Sequence, residues 1–362
     1  MIKIAIFGVG LIGGSLALCF KGKPDVTVVG HSNNPASVEK YMKREVVDYA
    51  TTSMEETVRD ADFIFLCTPV STIGEYLHIL SDLPLKPGCI VTDVGSTKAS
   101  IAESGSHLRR KDVYFIGGHP MAGKEKSGVE AATSLLFENA FYVLTPDSGT
   151  PEDAYERLAK LLEWTKARIL KLDPKLHDGI VGAISHLPHI IAVALVNQIA
   201  RYNESNELYR DLAAGGFHDI TRIASSDPVM WRDILVDNKS VLLELLKDWN
   251  TEIAGFIDMI ESGDGIGIEQ AFQKANGFRS SLPERRKGVI HSFYDIYVDV
   301  PDHPGIIGQI ATLLGNCRIN LSNIQIIESR EDIPGVLRLS FSEESHMDKA
   351  LELLKKDYAV YV

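Results

Sequence analysis

The chain has 362 residues, 45% of them hydrophobic and 24% charged, with a formal net charge of −12. That length allows two or three domains, and the composition is that of an ordinary globular protein. The acidic balance argues against nucleic acid or an acidic membrane as a partner, and it requires a local cluster of cations for any anionic substrate.

The run Ile2 to Phe7 is short, apolar and of strand type. Gly8-Val9-Gly10-Leu11-Ile12-Gly13-Gly14-Ser15 follows at once, and then a helical run from Leu16 to Phe20. This is G-x-G-x-x-G between a strand and a helix, the context that gives the motif its meaning. Gly8 permits the tight turn, Gly10 lets a pyrophosphate approach the backbone, and Gly13 lets the helix pack on the strand. Free N–H groups at the helix start then face the phosphates. Lys3 before an apolar run also fits the start of a secretion signal, but the glycines inside that run argue against it.

Val26 to Gly30 is a second strand. An acid at its end would hold the ribose of NAD. Here the residues are His31-Ser32-Asn33-Asn34, and the first cations are Lys40 and Arg44, so NAD and NADP both stay open. Further strands are expected at Ala61–Cys67, Cys89–Val94, Val113–Ile116, Phe141–Leu144 and Ile169–Leu172. Helical runs such as Pro151 to Trp164 separate most of them, which predicts a doubly wound parallel sheet of Rossmann type. Ligands bind such sheets at the carboxyl ends of the strands. The loops there are Thr68-Pro69-Val70, Gly95-Ser96-Thr97-Lys98 and Gly117-Gly118-His119-Pro120-Met121-Ala122-Gly123.

From about Pro174 the pattern turns helical. Leu176 to Tyr202 is apolar on nearly every face, which predicts burial between helices or between the subunits of a homodimer. Pro188 should kink it by displacing the carbonyl of Ile184. Asp227-Pro228 starts a helix expected from Val229 to Met259, and Ile268 to Ser280 is a further one. Ser281 to Gly288 reads as a charged linker. Beyond it the order is β-α-β-β-α-β: a strand from Phe293 to Val300, a helix from Pro304 to Leu314, strands at Asn320–Glu328 and Val336–Phe341, a helix from Met347 to Lys355 and a closing strand, the ferredoxin-like α+β arrangement. The expected domains are 1–172, 173–288 and 289–362. The scattered cysteines Cys19, Cys67, Cys89 and Cys317 show no metal spacing and no disulfide framework, pointing to a reducing cytoplasm. No uninterrupted apolar stretch reaches about 18 residues, so no membrane helix is expected.

Three polar groups are candidates for chemistry. His119, with Lys124 and Lys126 close behind, sits at a strand's carboxyl end, where a histidine can act as a general base near neutral pH. His186 and His189 are three apart and share a helix face. Zinc competes there because His177 and Asp178 are near, but the tight ligand spacings are missing, so no metal is expected. Gly215-Gly216 leading to Arg222 suits a fork that grips a carboxylate.

Together, Gly8–Ser15, Asp93–Lys98, Gly118–Gly123, Ser185–His189 and Thr221-Arg222-Ile223-Ala224 resemble the prephenate dehydrogenase (TyrA) family, in the form that carries a C-terminal ACT domain. The resemblance covers essentially the whole chain. It implies oxidation of the ring hydroxyl of prephenate, hydride transfer to a nicotinamide and loss of carbon dioxide, giving 4-hydroxyphenylpyruvate for tyrosine biosynthesis. It implies His119 as the group that takes the hydroxyl proton and Ser96 as its hydrogen-bonding helper. His189, Arg222, His186 and Lys124 become substrate-holding residues. NAD is expected against Gly8, Gly10, Leu11, Ile12, Gly13, Ser32, Thr68, Pro69 and Gly95. The family pattern is broken at Ser32, where an acid is usual, at Lys124, where a small hydroxyl residue is common, and at His218, where a lysine is frequent. ACT domains bind amino acids, so L-tyrosine is expected as an effector near Asp302, Gly305, Asn320 and Asn323. Rival readings are an arogenate (cyclohexadienyl) dehydrogenase, another 3-hydroxyacid-type dehydrogenase, or a nicotinamide-responsive regulator without turnover.

Overall fold

The computed structural model describes residues 1–108, 113–123, 128–282, 294–301, 303–330, 333–341 and 343–361. Lys124, Lys126 and Asp302, named above, lie outside the described residues. The chain divides into two units, Met1–Ser281 and Leu282–Val362.

The first unit holds an eight-stranded sheet of order β3-β2-β1-β4-β5-β6-β7-β8. Its strands are β1 (Ile2–Phe7), β2 (Val26–His31), β3 (Tyr49–Thr51), β4 (Phe63–Leu66), β5 (Ile90–Asp93), β6 (Tyr114–Pro120), β7 (Phe141–Pro146) and β8 (Arg168–Lys171). Strand β4 and residues Ile4 to Phe7 of β1 are apolar on both faces because both faces are covered. Ile4, Ile6, Phe63 and Phe65 join the core on one face, and Ala5, Phe7, Ile64 and Leu66 the core on the other. Each fully buried side chain of this size contributes about 1.5–3 kcal/mol. Around the sheet run α1 (Leu11–Phe20), α2 (Pro35–Lys43), α3 (Met54–Val58), α4 (Val70–Asp82), α5 (Ala99–Gly105) and α6 (Glu152–Leu162).

Three features of the sheet differ from expectation. The sheet is not wholly parallel, because β6 and β7 pair antiparallel. β3 has only three residues and no apolar run to announce it. Most important, Gly117 to Pro120 are not a loop: they extend β6, with His119 opposite Val143. The glycines allow this. A Cβ on Gly118 would stand 2.6 Å from the Asp93 carbonyl oxygen, and one on Gly117 would stand 2.4 Å from Thr145 Oγ1.

The helical half begins at α7 (Pro174–Val181), whose N-terminus is capped by the Asp173 side chain accepting from the Lys175 and Leu176 amides. A π-helical segment, Gly182–His186, leads into α8 (Leu187–Asn203). The irregularity expected at Pro188 thus falls on the preceding turn: the wider π turn takes up Ile184, whose carbonyl the proline ring would otherwise crowd. α9 (Leu208–Asp211) and α10 (Gly215–Thr221) follow. The single helix expected over Val229–Met259 is two, α11 (Pro228–Asp237) and α12 (Lys239–Ser262), divided at Asn238, and α13 (Gly265–Ser281) ends the unit. By length and composition the run Pro174–Asn203 is long and apolar enough to cross a membrane, against the expectation of none. The sequence breaks that run with His177, Asp178, His186 and His189, so no stretch of about 18 residues in it is uninterrupted. α8 buries only Ala192 and α12 only Leu242 within the chain, while Val193, Leu243, Ile257 and Ile260 are exposed.

The second unit is β9 (Tyr294–Val300), α14 (Ile306–Asn316), β10 (Asn323–Arg330), β11 (Ile333–Phe341), α15 (Glu344–Leu354) and β12 (Ala359–Tyr361). The sheet order is β10-β11-β9-β12, with every pair antiparallel, as in a ferredoxin-like fold. Alternate residues of β9, Ile296, Val298 and Val300, face a core completed by Ile310 and Leu314 of α14 and Leu354 of α15.

Candidate active site

The glycine turn joins β1 to α1. Gly8 has φ +85°, in the left-handed region, and a Cβ there would stand 2.6 Å from the Cys67 carbonyl oxygen. A Cβ on Gly13 would stand 2.2 Å from the Gly8 carbonyl oxygen, so only glycine lets α1 approach so closely. Gly10 differs: nothing lies within 4 Å of its missing Cβ. That open side, beside the first turn of α1 at Leu11 and Ile12, suits a pyrophosphate. Thr68, in the loop before Pro69 caps α4, and Thr97, two residues beyond Gly95, each bury a hydroxyl with no partner among the described residues. Such hydroxyls fit a site that a polar ligand completes. Gly95 is fixed by its N–H donating to Asp93 Oδ2 at 2.7 Å. At the end of β2 the Ser32 hydroxyl accepts from the Asn34 amide, and the Asn34 side chain caps α2 by accepting from Ala36. Ser32 and Asn34 are therefore committed to the turn, leaving Ser32 its hydroxyl hydrogen to donate.

His119 stands at the end of β6 and is half-buried. Its Nδ1 is 2.8 Å from Nε2 of His177 on α7. His177 Nδ1 is in turn 2.8 Å from Asp178 Oδ1. Asp178 also accepts from the backbone amides of Lys98, at 2.7 Å on Oδ1, and Ala99, at 2.8 Å on Oδ2. The network assigns the tautomers. A carboxylate only accepts, so His177 carries its proton on Nδ1 and offers a bare Nε2. That nitrogen accepts from His119 Nδ1–H, leaving His119 Nε2 with a lone pair. A bare nitrogen of this kind is able to accept a proton. Burial, reinforced by His177, Lys98 and His186, holds the His119 pKa well below the ordinary imidazole value. Beneath it lies the fully buried ion pair of Lys98 with Asp93, whose Oδ1 also accepts from the Gly118 amide. Burial lowers the Lys98 pKa, against the pull of Asp93.

Asn238, at the break between α11 and α12, joins this group to the other histidines. Its side-chain amide donates to the Asp178 carbonyl at 3.1 Å and to His186 Nδ1 at 3.2 Å. The His186 ring meets Trp231 edge to face at 5.9 Å, and His189 stacks on Trp231 at 3.6 Å. His189 Nδ1–H donates to the Ser185 carbonyl at 2.8 Å, leaving its Nε2 as an acceptor. Burial lowers the His189 pKa; the Ser185 bond opposes this, and the nearby positive charge of Arg222 adds to it. Two serines tie α11, and with it Trp231, to the sheet domain: Ser71 donates to Asp233 at 2.6 Å and Ser100 to Asp237 at 2.7 Å.

The structure brings His119, His186, His189 and Arg222 near one another through His177, Asp178, Asn238 and Trp231. Ser96 follows Gly95 but makes no hydrogen bond to His119 among the described residues; the partner of His119 Nδ1 is His177. His186 is 1% exposed, spends its Nδ1 on Asn238 and lies edge to face against Trp231. His177 and Asp178, read from sequence only as rivals for zinc, are the inner support of His119, and no cluster of three potential metal ligands occurs among the described residues. Trp231 and Asn238 gave no sequence signal. In the second unit Gly305 has φ +95° and caps α14, Asn323 opens β10, and Asn320 lies three residues before it.

Two family models match the chain: the nucleotide-binding domain of prephenate dehydrogenase over residues 16–171 and the dimerization domain of prephenate dehydrogenase over residues 173–274. The prephenate dehydrogenase of Bacillus subtilis (strain 168) is 42% identical over 353 residues, covering 97% of this chain and 95% of its own length. A crystal structure of the Aquifex aeolicus prephenate dehydrogenase in complex with hydroxyphenyl propionate and NAD+ superposes with a TM-score of 0.72 at 32% identity, covering 78% of this chain and 99% of that one. A Synechocystis arogenate dehydrogenase gives a TM-score of 0.69 at 34% identity, covering 77% of this chain and 99% of that one.

Proposed function

This chain belongs to the prephenate dehydrogenase family, and we propose that it oxidises and decarboxylates prephenate to 4-hydroxyphenylpyruvate with NAD as hydride acceptor, in tyrosine biosynthesis. The observation that carries the reading is the tautomer chain from Asp178 through His177 to His119, which leaves His119 Nε2 able to take the proton of the ring hydroxyl. The bound nicotinamide supplies the hydride acceptor. His119 draws the hydroxyl proton as the carbon beneath it is oxidised, then returns it to the phenolate that aromatisation creates. Arg222 holds a substrate carboxylate, and His189, its ring stacked on Trp231, lines the substrate beside it. Ser96, next to Gly95, helps orient the hydroxyl. Gly8, Gly10, Leu11, Ile12 and Gly13 cradle the pyrophosphate, Thr68, Pro69 and Gly95 line the nicotinamide half, and Ser32 meets the ribose.

The enzyme acts as a homodimer through the apolar faces of α8, α12 and α13, within the segment that matches a dimerization domain. The boundaries 1–172, 173–288 and 289–362 give it a dinucleotide domain, a dimerisation domain and an ACT-like regulatory domain. L-tyrosine binds the last of these at Gly305, Asn320 and Asn323; the ferredoxin-like strand order and the open left-handed turn at Gly305 support this. Four free thiols support a reducing, cytoplasmic setting. The test is the absorbance of reduced nicotinamide at 340 nm with prephenate or arogenate, and NAD or NADP, offered in turn. Turnover with prephenate and NAD above the other pairings supports the proposal. A higher kcat/KM for arogenate makes it an arogenate dehydrogenase, and no turnover with any pair makes it a regulator.

A further inference from the structure

We infer that His177 and Asp178 form a proton relay behind His119: as His119 Nε2 takes the substrate's hydroxyl proton, the proton on His119 Nδ1 passes to His177 Nε2. The inference rests on His119 being the base. Three observations carry it. The two ring–ring and ring–carboxylate contacts are both 2.8 Å, short enough for direct transfer. Asp178 is held by two backbone amides on different oxygens, so it cannot turn away from His177. His177 is fully buried, reaching substrate only through His119.

The step balances without any further reactant. One O–H bond of the substrate breaks and one N–H bond forms at His119 Nε2; the Nδ1–H bond of His119 breaks and an N–H bond forms at His177 Nε2. The positive charge then rests on the His177 imidazolium against the Asp178 carboxylate. The same bonds reverse when the phenolate recovers its proton. Without the relay the charge would stay on His119, where burial disfavours it most and His177, Lys98 and His186 add to the cost. Asp178 is the compensating negative group, while the Asp93 carboxylate is taken by Lys98 and by the Gly118 and Gly95 amides. His177 is thus a positioning residue that also carries the proton, and Asp178 fixes its tautomer. Reversing a histidine tautomer by removing its carboxylate's charge is costly in enzymes built this way, by about 10⁴ in a serine protease.

Three full-length variants test this: His177→Phe, His177→Gln and His119→Asn. Phe fills the space of the ring but gives His119 Nδ1–H no acceptor. Gln offers an amide oxygen that holds the His119 tautomer yet takes no proton. We expect kcat to fall about 100-fold in His177→Phe and to recover part of that in His177→Gln. KM for prephenate and NAD affinity, measured by fluorescence titration, stay near wild type. The acid limb of the kcat/KM profile moves to lower pH in His177→Phe, because an imidazolium with no acceptor at Nδ1 forms less readily. Equal losses in both His177 variants with an unmoved acid limb would reduce the pair to packing and overturn the relay. So would His177→Phe keeping more than about a third of wild-type kcat while His119→Asn is inactive. An active His119→Asn overturns the base assignment itself, and the relay with it. Should His177→Phe not fold, His177→Gln decides alone: its kcat must drop with the affinities intact.

Discussion

His186 makes the folded protein sensitive to mild acid, and the size of the effect follows from its surroundings. Burial is the main cause that lowers its pKa to about 4; Asp178 opposes this, and His177 and His189 add to it. The bond from the Asn238 amide requires a bare Nδ1, which protonation removes. In the unfolded chain the ring titrates near 6.5, so above that pH the group costs nothing in either state. Between 6.5 and 4 the unfolded chain binds a proton that the folded chain refuses, and stability falls as pH falls through that window. At about 1.4 kcal/mol per pH unit, the whole window corresponds to roughly 3 kcal/mol, most of it lost by pH 4.5. Urea unfolding at pH 7.5 and pH 4.5, on wild type and His186→Gln, isolates this from the parallel contribution of His119. The variant starts less stable at pH 7.5 but loses about 2–3 kcal/mol less on acidification. Equal pH dependence in the two proteins would refute the argument.

The other expected outcomes concern binding. Gly13→Ala pushes a methyl against the Gly8 carbonyl at 2.2 Å, so α1 must shift; NAD affinity should drop at least tenfold and stability by about 1–3 kcal/mol, read by titration and thermal melting. Arg222→Ala should lower kcat/KM for prephenate by about 10–100-fold without changing NAD affinity, the loss of one charge-assisted bond to a carboxylate. Ser32→Asp keeps an acceptor for the Asn34 amide and adds charge, so the ratio of kcat/KM for NAD over NADP should rise; an unchanged ratio places Ser32 away from the ribose. Deleting the chain beyond Arg286 should abolish inhibition by L-tyrosine and leave turnover; inhibition that persists at the same concentration moves the effector to the catalytic cleft.

Much of this was legible from local pattern. Ile4 to Phe7 and Phe63 to Leu66 are apolar on both faces, as central strands of a covered sheet must be. The glycine turn announced itself through spacing, and the last unit through its change of period. What escaped depends on contacts distant in sequence. Gly117 to Pro120 looked like a loop because glycine and proline punctuate most strands, yet here glycine is what lets β6 pass Asp93 and Thr145. Trp231 and Asn238 are ordinary helix residues until α11 folds back onto the histidines of α7 and α8. His177 reads, with Asp178, only as a rival zinc ligand; the 58-residue return from His119 makes it a partner. Ser96 came from the family resemblance as the helper of His119, and the hydrogen bond the structure shows at His119 Nδ1 is to His177.

The most direct test of the whole account is the initial rate of NADH formation from prephenate and NAD, for wild type and His119→Asn side by side at neutral pH. The substitution keeps a polar side chain of similar reach but removes the lone pair that takes the proton. The account predicts steady turnover by the wild type and a fall in kcat of about 10²–10⁴-fold in the variant with KM little changed. A wild type that forms no NADH from prephenate, or a variant that keeps more than about a third of the rate, would contradict it.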